Sequence, residues 1–238
     1  MPIPIRDRGY PHPELLAETD WLAGRLSDPI VRVVDARSDG DYAAGHIPGA
    51  VHISGFTLGG IRPEPEMPEP EAFAHLVGAL GIDERNSVVV YDAGGRSQMA
   101  GMTAWTFLYY GHPDIRYLDG GLAKWTAEGL PLSSDAPAHE PRTFAARPVE
   151  GVYCPLDRAK ASVDDDGVLF WDVRTIGEFE GTTRGWNPPP RLGHLPGAIH
   201  LEYTELFDAD NGTLKPAAEL TTLLGAKGIT PEATLVAY

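Results

Sequence analysis

Cys154 is the only cysteine in 238 residues. One thiol excludes an intrachain disulfide and any metal site built from cysteines alone. Basic residues are also scarce: 19 Lys and Arg stand against 34 Asp and Glu, a formal net charge of −15. A surface of that sign repels a polyphosphate backbone and an anionic bilayer alike, so neither nucleic acid nor a membrane is expected as a partner. No run approaches the about 18 apolar residues of a membrane span. The opening, MPIPIRDRGYPHPE, lacks the apolar stretch of a secretory signal and carries acids early. The expectation is a soluble, cytoplasmic protein.

Turn-forming residues are abundant instead. Gly 27 and Pro 22 exceed the usual share of about 12% without reaching the about 25–30% of low-complexity chains, which implies many turns between regular elements. With 42% hydrophobic residues the chain can bury a sizeable core in one or two domains.

The strongest pattern is an internal repeat. Asp35-Ala36-Arg37 recurs as Asp172-Val173-Arg174, an offset of 137. His46-Ile47-Pro48-Gly49-Ala50 recurs as His194-Leu195-Pro196-Gly197-Ala198 at an offset of 148, which puts an insertion of 11 residues in the TTRGWNPPPRL stretch of the second copy. Leu80-Gly81-Ile82 with Ser87–Tyr91 parallels Lys227-Gly228-Ile229 with Thr234–Tyr238, an offset of 147. Three blocks in one order mark a duplication of a unit too long for a solenoid repeat.

Within each copy the pattern is α/β. VRVVDA, SVVVYD, IRYLDGG, VLFWDV and TLVAY are short apolar runs that suit buried parallel strands, whereas EAFAHLVGALGI, QMAGMTAWTFLYYGH and GGLAKWTAEG have helical spacing. Alternation of the two predicts mostly parallel sheets with helices on both faces. Residues 1–132 form the first expected domain, 133–151 a Pro- and Ala-rich linker, and 152–238 the second domain. The first copy continues past Tyr91 through Asp92 to Leu132, and the second reaches Tyr238. The expectation is that the second domain is incomplete, cut at the position equivalent to Asp92.

These residues resemble the rhodanese family in its tandem two-domain form, the thiosulfate and 3-mercaptopyruvate sulfurtransferases. The pattern D-x-R-x3-[DE]-[YF]…G-H-[IL]-P-G-A occurs at Asp35–Ala50 and again at Asp172–Ala198, and a third block runs from Tyr117-Leu118-Asp119-Gly120-Gly121 to Trp125. The resemblance implies sulfur carried as a persulfide on a cysteine directly after a strand ending in Val-x-Tyr, in a loop that curls over a helix start. It implies a small anionic sulfur donor, a thiophilic acceptor such as cyanide or a thiol, and no metal or organic cofactor. A thiolate is favoured by oriented N–H groups at a helix start, and the same groups stabilise an anionic donor. In the first copy the nucleophile's position holds Asp92, which cannot form a persulfide, so this copy is expected to be inert. In the second copy the cysteine is expected directly after Tyr238, leaving no catalytic residue within the chain. A rhodanese-like binding or regulatory protein is the alternative.

Other residues take roles by the same resemblance. The pairs Asp35/Arg37 and Asp172/Arg174 end strands on the ligand-binding edge of an open sheet. Their family counterparts bond across the domain and hold the active loop, and direct substrate contact is open only for the second pair. Glu178 stands where some relatives use an arginine to bind the anion. Met102 replaces an arginine common in the first domain. His46 and His194, each within Gly-His-x-Pro-Gly-Ala, are expected to bond loop backbone, with a general-base role as the alternative. Arg96 either attracts the anionic substrate or is merely solvated. Arg184, Trp186 and Arg191 rim the second copy's mouth or form a rigid surface loop. Asp164–Asp166 and Glu64–Glu71 are expected in solvated loops. Cys154 follows no strand of the repeat and precedes a proline, so it is expected to be a spectator.

Overall fold

In the computed structural model, residues 2–54, 67–94, 98–185 and 190–238 are described. The chain divides into two compact units, Met1–Val152 with Ala209–Leu214, and Tyr153–Asp208 with Lys215–Tyr238.

The first unit is built on five strands: β1 (Leu16–Ala17), β2 (Val31–Asp35), β3 (Val51–His52), β4 (Ser87–Tyr91) and β5 (Ile115–Leu118). They lie in the order β1-β5-β4-β2-β3, every pair parallel. The near-continuous valine runs of β2 and β4 suit strands covered on both faces, and both are buried along their whole length. Among the described residues, helices α1 (Thr19–Ala23), α2 (Asp39–Ala44), α3 (Pro70–Ala79), α4 (Met99–Tyr109) and α5 (Gly121–Ala127) surround them. Alternate strand residues feed two cores. Val34, Val88 and Val90 pack with Phe73 and Val77 of α3 and Phe107 of α4. Val31, Val33, Val89 and Tyr91 pack with Leu22 of α1 and Trp125 of α5. Helices therefore cover both faces, and each fully buried valine contributes about 1.5–3 kcal/mol.

The stretch 133–151, expected as a linker, is instead part of this unit. His46 and Ser133 exchange both backbone hydrogen bonds, the Arg142 N–H donates to the Gly78 carbonyl at 2.8 Å, and Phe144 is 3% exposed within the core. Its Pro-rich composition rules out a helix or a ladder strand, but leaves enough donors and one aromatic ring to pack. Ala209–Leu214, placed by sequence in the second domain, also belongs here. The Leu214 N–H donates to Asp119 Oδ1 at 2.8 Å, and Thr213 is buried.

The second unit carries β6 (Val168–Asp172), β7 (Ile199–His200) and β8 (Thr234–Ala237) in the parallel order β7-β6-β8, together with α6 (Leu156–Ala161), α7 (Ile176–Glu180) and α8 (Ala217–Gly225). That order reproduces β3-β2-β4, and the register does too: Val168 faces Thr234 as Val31 faces Ser87. One expectation fails. TLVAY reads as a buried strand, yet β8 is mostly exposed, with Leu235 at 37%. Among the described residues β8 pairs only with β6, so it is an edge strand, unlike β4, which lies between β2 and β5.

Candidate functional site

At the carboxyl ends of the central strands each unit builds the same polar network. In the first, Arg37 donates through Nε and Nη2 to the Asp35 carboxylate and through Nη2 to the Gly45 carbonyl at 2.7 Å. In the second, Arg174 donates to Asp172 Oδ1 at 2.9 Å, to Oδ2 at 2.6 Å and to the Gly193 carbonyl at 2.9 Å. The 11-residue insertion lies between α7 and Gly193, yet this last contact persists. The D-x-R spacing explains the fork, because a strand-end aspartate also accepts the arginine backbone N–H two residues on, at 3.0 Å in both units.

Burial works to raise the Asp172 carboxyl, but hydrogen bonds from Arg174 outweigh it and hold the group below the usual carboxylate range. The Arg174 guanidinium is pushed up by its bond to Asp172. At neutral pH the pair is ionised and spent on the loop. A substrate would meet only what the guanidinium leaves exposed, about a quarter of the side chain.

Glu178 and His194 hold the same loop. Thr175 and Glu178 form a capping box at the start of α7: the Thr175 hydroxyl accepts from the Glu178 N–H, and the Glu178 carboxylate takes the Thr175 N–H and hydroxyl. Ser38 and Asp41 mirror the hydroxyl–carboxylate pairing in the first unit. The His194 ring stacks on Phe179, with centroids 3.7 Å apart, and Nδ1 bonds the Phe179 carbonyl. His46 stacks on Tyr42 in the same way and bonds the Tyr42 carbonyl.

The loop after β4 shows what the fold does at the nucleophile's position. Asp92 is 1% exposed, and its carboxylate accepts the Gly94 N–H at 3.0 Å and the Ala100 N–H at 2.8 Å. Ala100 lies in the first turn of α4, so the carboxylate sits at the helix's positive end. The turn Gly120-Gly121 supports the loop from beneath. Leu122 and Ala123 donate to the carbonyls of Asp92 and Ala93, and a Cβ on Gly121, at φ 55°, would lie 2.6 Å from the Gly94 Cα. Asp92→Ala orphans the buried Ala100 N–H and the half-buried Gly94 N–H and is expected to lower stability by about 1–3 kcal/mol. On the expectation that this copy is inert, sulfur transfer should survive; urea unfolding and a thiosulfate assay check the two halves.

The other expected residues are not gathered at this edge. Cys154 is half-buried just before α6, its sulfur 3.9 Å from the Pro155 carbonyl. Arg184, Arg191 and Asp164–Asp166 are exposed, as is Glu71. Met102 is half-buried on α4. Arg96, Trp186 and Glu64 lie outside the described residues. Among the described residues no three His, Cys, Asp or Glu side chains are grouped to hold a metal ion.

Sequence reasoning missed two features. Tyr91 and Tyr238 close β4 and follow β8, and each hydroxyl accepts the backbone N–H after the loop histidine, from Ile47 at 3.1 Å and from Leu195 at 3.0 Å. Their place in the repeat was visible; their partners, more than 40 residues away in sequence, were not. The second is a buried ion pair, Arg8–Asp119, at 2.7 Å. The Asp119-Gly120-Gly121 block flagged one partner only.

Residues 18–128 match the model of the rhodanese-like domain. The chain is 34% identical to the sulfur carrier protein TtuD of Thermus thermophilus, over 97% of this chain and 84% of that protein. It is also 34% identical to a thiosulfate sulfurtransferase of Corynebacterium glutamicum, over 90% of this chain and 73% of the relative. Among solved structures it superposes on SseA of Escherichia coli, a 3-mercaptopyruvate sulfurtransferase, with a TM-score of 0.81 at 27% identity, covering 94% of this chain and 87% of that one. A duplicated Asp-x-Arg/Gly-His-x-Pro-Gly-Ala edge on parallel sheets, matched at this level to named sulfurtransferases, places the chain in the rhodanese family.

Proposed function

We propose that this protein is a cytoplasmic tandem-domain sulfurtransferase that moves sulfane sulfur from thiosulfate, or from 3-mercaptopyruvate, through a cysteine persulfide to a thiophilic acceptor. The first unit is inert, and the nucleophile is a cysteine that directly follows Tyr238 in the gene product. One observation carries this reading: in the equivalent loop of the first unit, the Gly94 N–H and the buried Ala100 N–H at a helix start together already hold a carboxylate, that of Asp92. A thiolate and then a persulfide in that place would draw the same stabilisation.

The thiolate attacks the outer sulfur of thiosulfate, the donor's S–S bond breaks, and sulfite leaves with the bonding pair. The acceptor then attacks the terminal persulfide sulfur and the cysteine leaves as thiolate. With cyanide as acceptor the product is thiocyanate. Electrons balance without an outside oxidant or reductant. Asp172, Arg174, Glu178 and His194 shape the loop that faces the reaction.

The test is intact-mass and peptide analysis of the gene product after thiosulfate treatment. One added sulfur atom should map to the peptide that contains Tyr238 and its successor, and Cys154→Ser should leave the adduct and turnover unchanged. An adduct on Cys154, with turnover lost in the serine variant, would move the chemistry to the start of the second unit. A folded protein that takes up no sulfur would favour the binding or regulatory reading.

A further inference from the structure

Tyr238 and Tyr91 make one set of contacts twice. Each ring lies under the guanidinium of its own unit's D-x-R arginine, with Arg174 5.6 Å and Arg37 5.8 Å from the ring centroid. In the first unit the hydroxyl also donates to the strand-end aspartate, Tyr91 reaching Asp35 Oδ2 at 2.5 Å. Each also accepts the N–H that follows the loop histidine, Ile47 in one unit and Leu195 in the other. The backbone joins in, since the carbonyls of Tyr91 and Tyr238 accept the N–H of Ala36 and Val173, the residue inside each D-x-R. A tyrosine so held has its ring, hydroxyl and carbonyl fixed by two separate pieces of chain, the D-x-R segment and the loop after the histidine.

In the first unit the peptide that follows the tyrosine leads into Asp92, whose carboxylate meets the N–H groups of Gly94 and Ala100 within 3.0 Å. Such a fit tolerates little error in where the strand ends. Misplacement of a reacting group by about 1 Å can lower a rate by about 10²-fold.

We propose that Tyr238 is a positioning residue for sulfur transfer: its hydroxyl, held by the Leu195 N–H, and its carbonyl, held by the Val173 N–H, fix where the strand end delivers the nucleophile. This rests on the function proposed above. Tyr238 does not touch the donor. It acts through the backbone it anchors and through the Asp172–Arg174 pair it braces.

The duplication supplies the control. Tyr91→Phe removes the same hydroxyl from the same backbone N–H contact in a unit that does no chemistry. In the complete gene product, Tyr238→Phe should slow persulfide formation at saturating thiosulfate by about tenfold or more, with KM changed by less than about twofold. Tyr91→Phe should lose similar stability in urea and keep both kinetic constants. Equal kinetics for wild type and Tyr238→Phe would overturn the proposal. So would a Tyr238→Phe protein that fails to fold while Tyr91→Phe folds, because the hydroxyl's role would then be purely structural. A wild-type protein that forms no persulfide would instead sink the parent reading, so the two failures are distinct.

Discussion

Arg174→Ala is expected to destabilise the second unit by about 3 kcal/mol or more at pH 7, because it leaves the Asp172 carboxylate buried without its cation. Asp172 is fully buried and Arg174 closes both of its oxygens. Truncation of the arginine therefore removes a charge-assisted fork and orphans the Gly193 carbonyl as well. The pH dependence follows from the sign of the shift. In the native protein Asp172 sits below its ordinary range, so its contribution is present above the unfolded carboxylate pKa, about 4, and is lost as pH falls through the lower folded value. In the variant, burial acts against a weakened opposition and pushes the carboxyl up. Its cost is then largest near neutral pH and relieved toward acid, so the gap between the two proteins should narrow as pH falls. On the proposed mechanism, sulfur transfer should drop by about 10²-fold, since the loop over the nucleophile loses its anchor. Arg37→Ala should match the stability loss in the first unit and spare the chemistry. Urea titrations at two pH values with a thiosulfate assay decide it. A variant as stable as wild type at pH 7 would show that the pair contributes nothing net.

How much of this was legible in the sequence depends on range. The valine runs of β2 and β4 and the helices α3 and α4 were readable because period and composition are local. The D-x-R fork was readable as a repeat, since both partners lie within three residues. Ser38/Asp41 and Thr175/Glu178 carry a capping signal in their three-residue spacing, which gives Glu178 a local role at the helix start. The tyrosine hubs needed a partner 44 residues away from Tyr91 and 43 away from Tyr238, which no local pattern gives. The 133–151 stretch shows the opposite error. Proline content says what a segment cannot form, not whether it packs, and Phe144 fills the first core regardless. For β8 the letters suited burial, but burial depends on neighbours, and β6 is its only strand partner among the described residues.

The two units also differ in what their shared edge is free to do. In the first, Asp92 takes the N–H groups of Gly94 and of Ala100 at the helix start, and Gly94 and Gly121 approach too closely to admit side chains. Stability and reactivity thus separate between copies of one design: a resident carboxylate uses the cradle to hold α4, whereas the proposed cysteine would use it to hold a reactive anion.

Arg8→Ala should produce the other large effect, a loss of about 3–5 kcal/mol in the first unit near neutral pH. Arg8 and Asp119 are 2.7 Å apart with side chains 1% and 0% exposed, and both grip Leu214: Arg8 donates to its carbonyl at 2.9 Å, and its N–H donates to Asp119 at 2.8 Å. Burial raises the Asp119 carboxyl above its ordinary value, and the Leu214 N–H and Arg8 only partly offset it. A carboxyl raised in the folded state costs stability above its folded pKa and is relieved as pH falls through it. Without Arg8 that pKa climbs further, so the variant's deficit should be greatest at pH 7 and shrink toward pH 5. Arg8→Ala/Asp119→Leu should recover part of the loss, because no buried charge is then left without a partner. Chemical unfolding of the wild type and both variants at the two pH values is the measurement. A deficit that is the same at pH 7 and pH 5, or a double variant no better than the single, would mean that packing of the arginine stem, and not the stranded carboxylate, sets the cost.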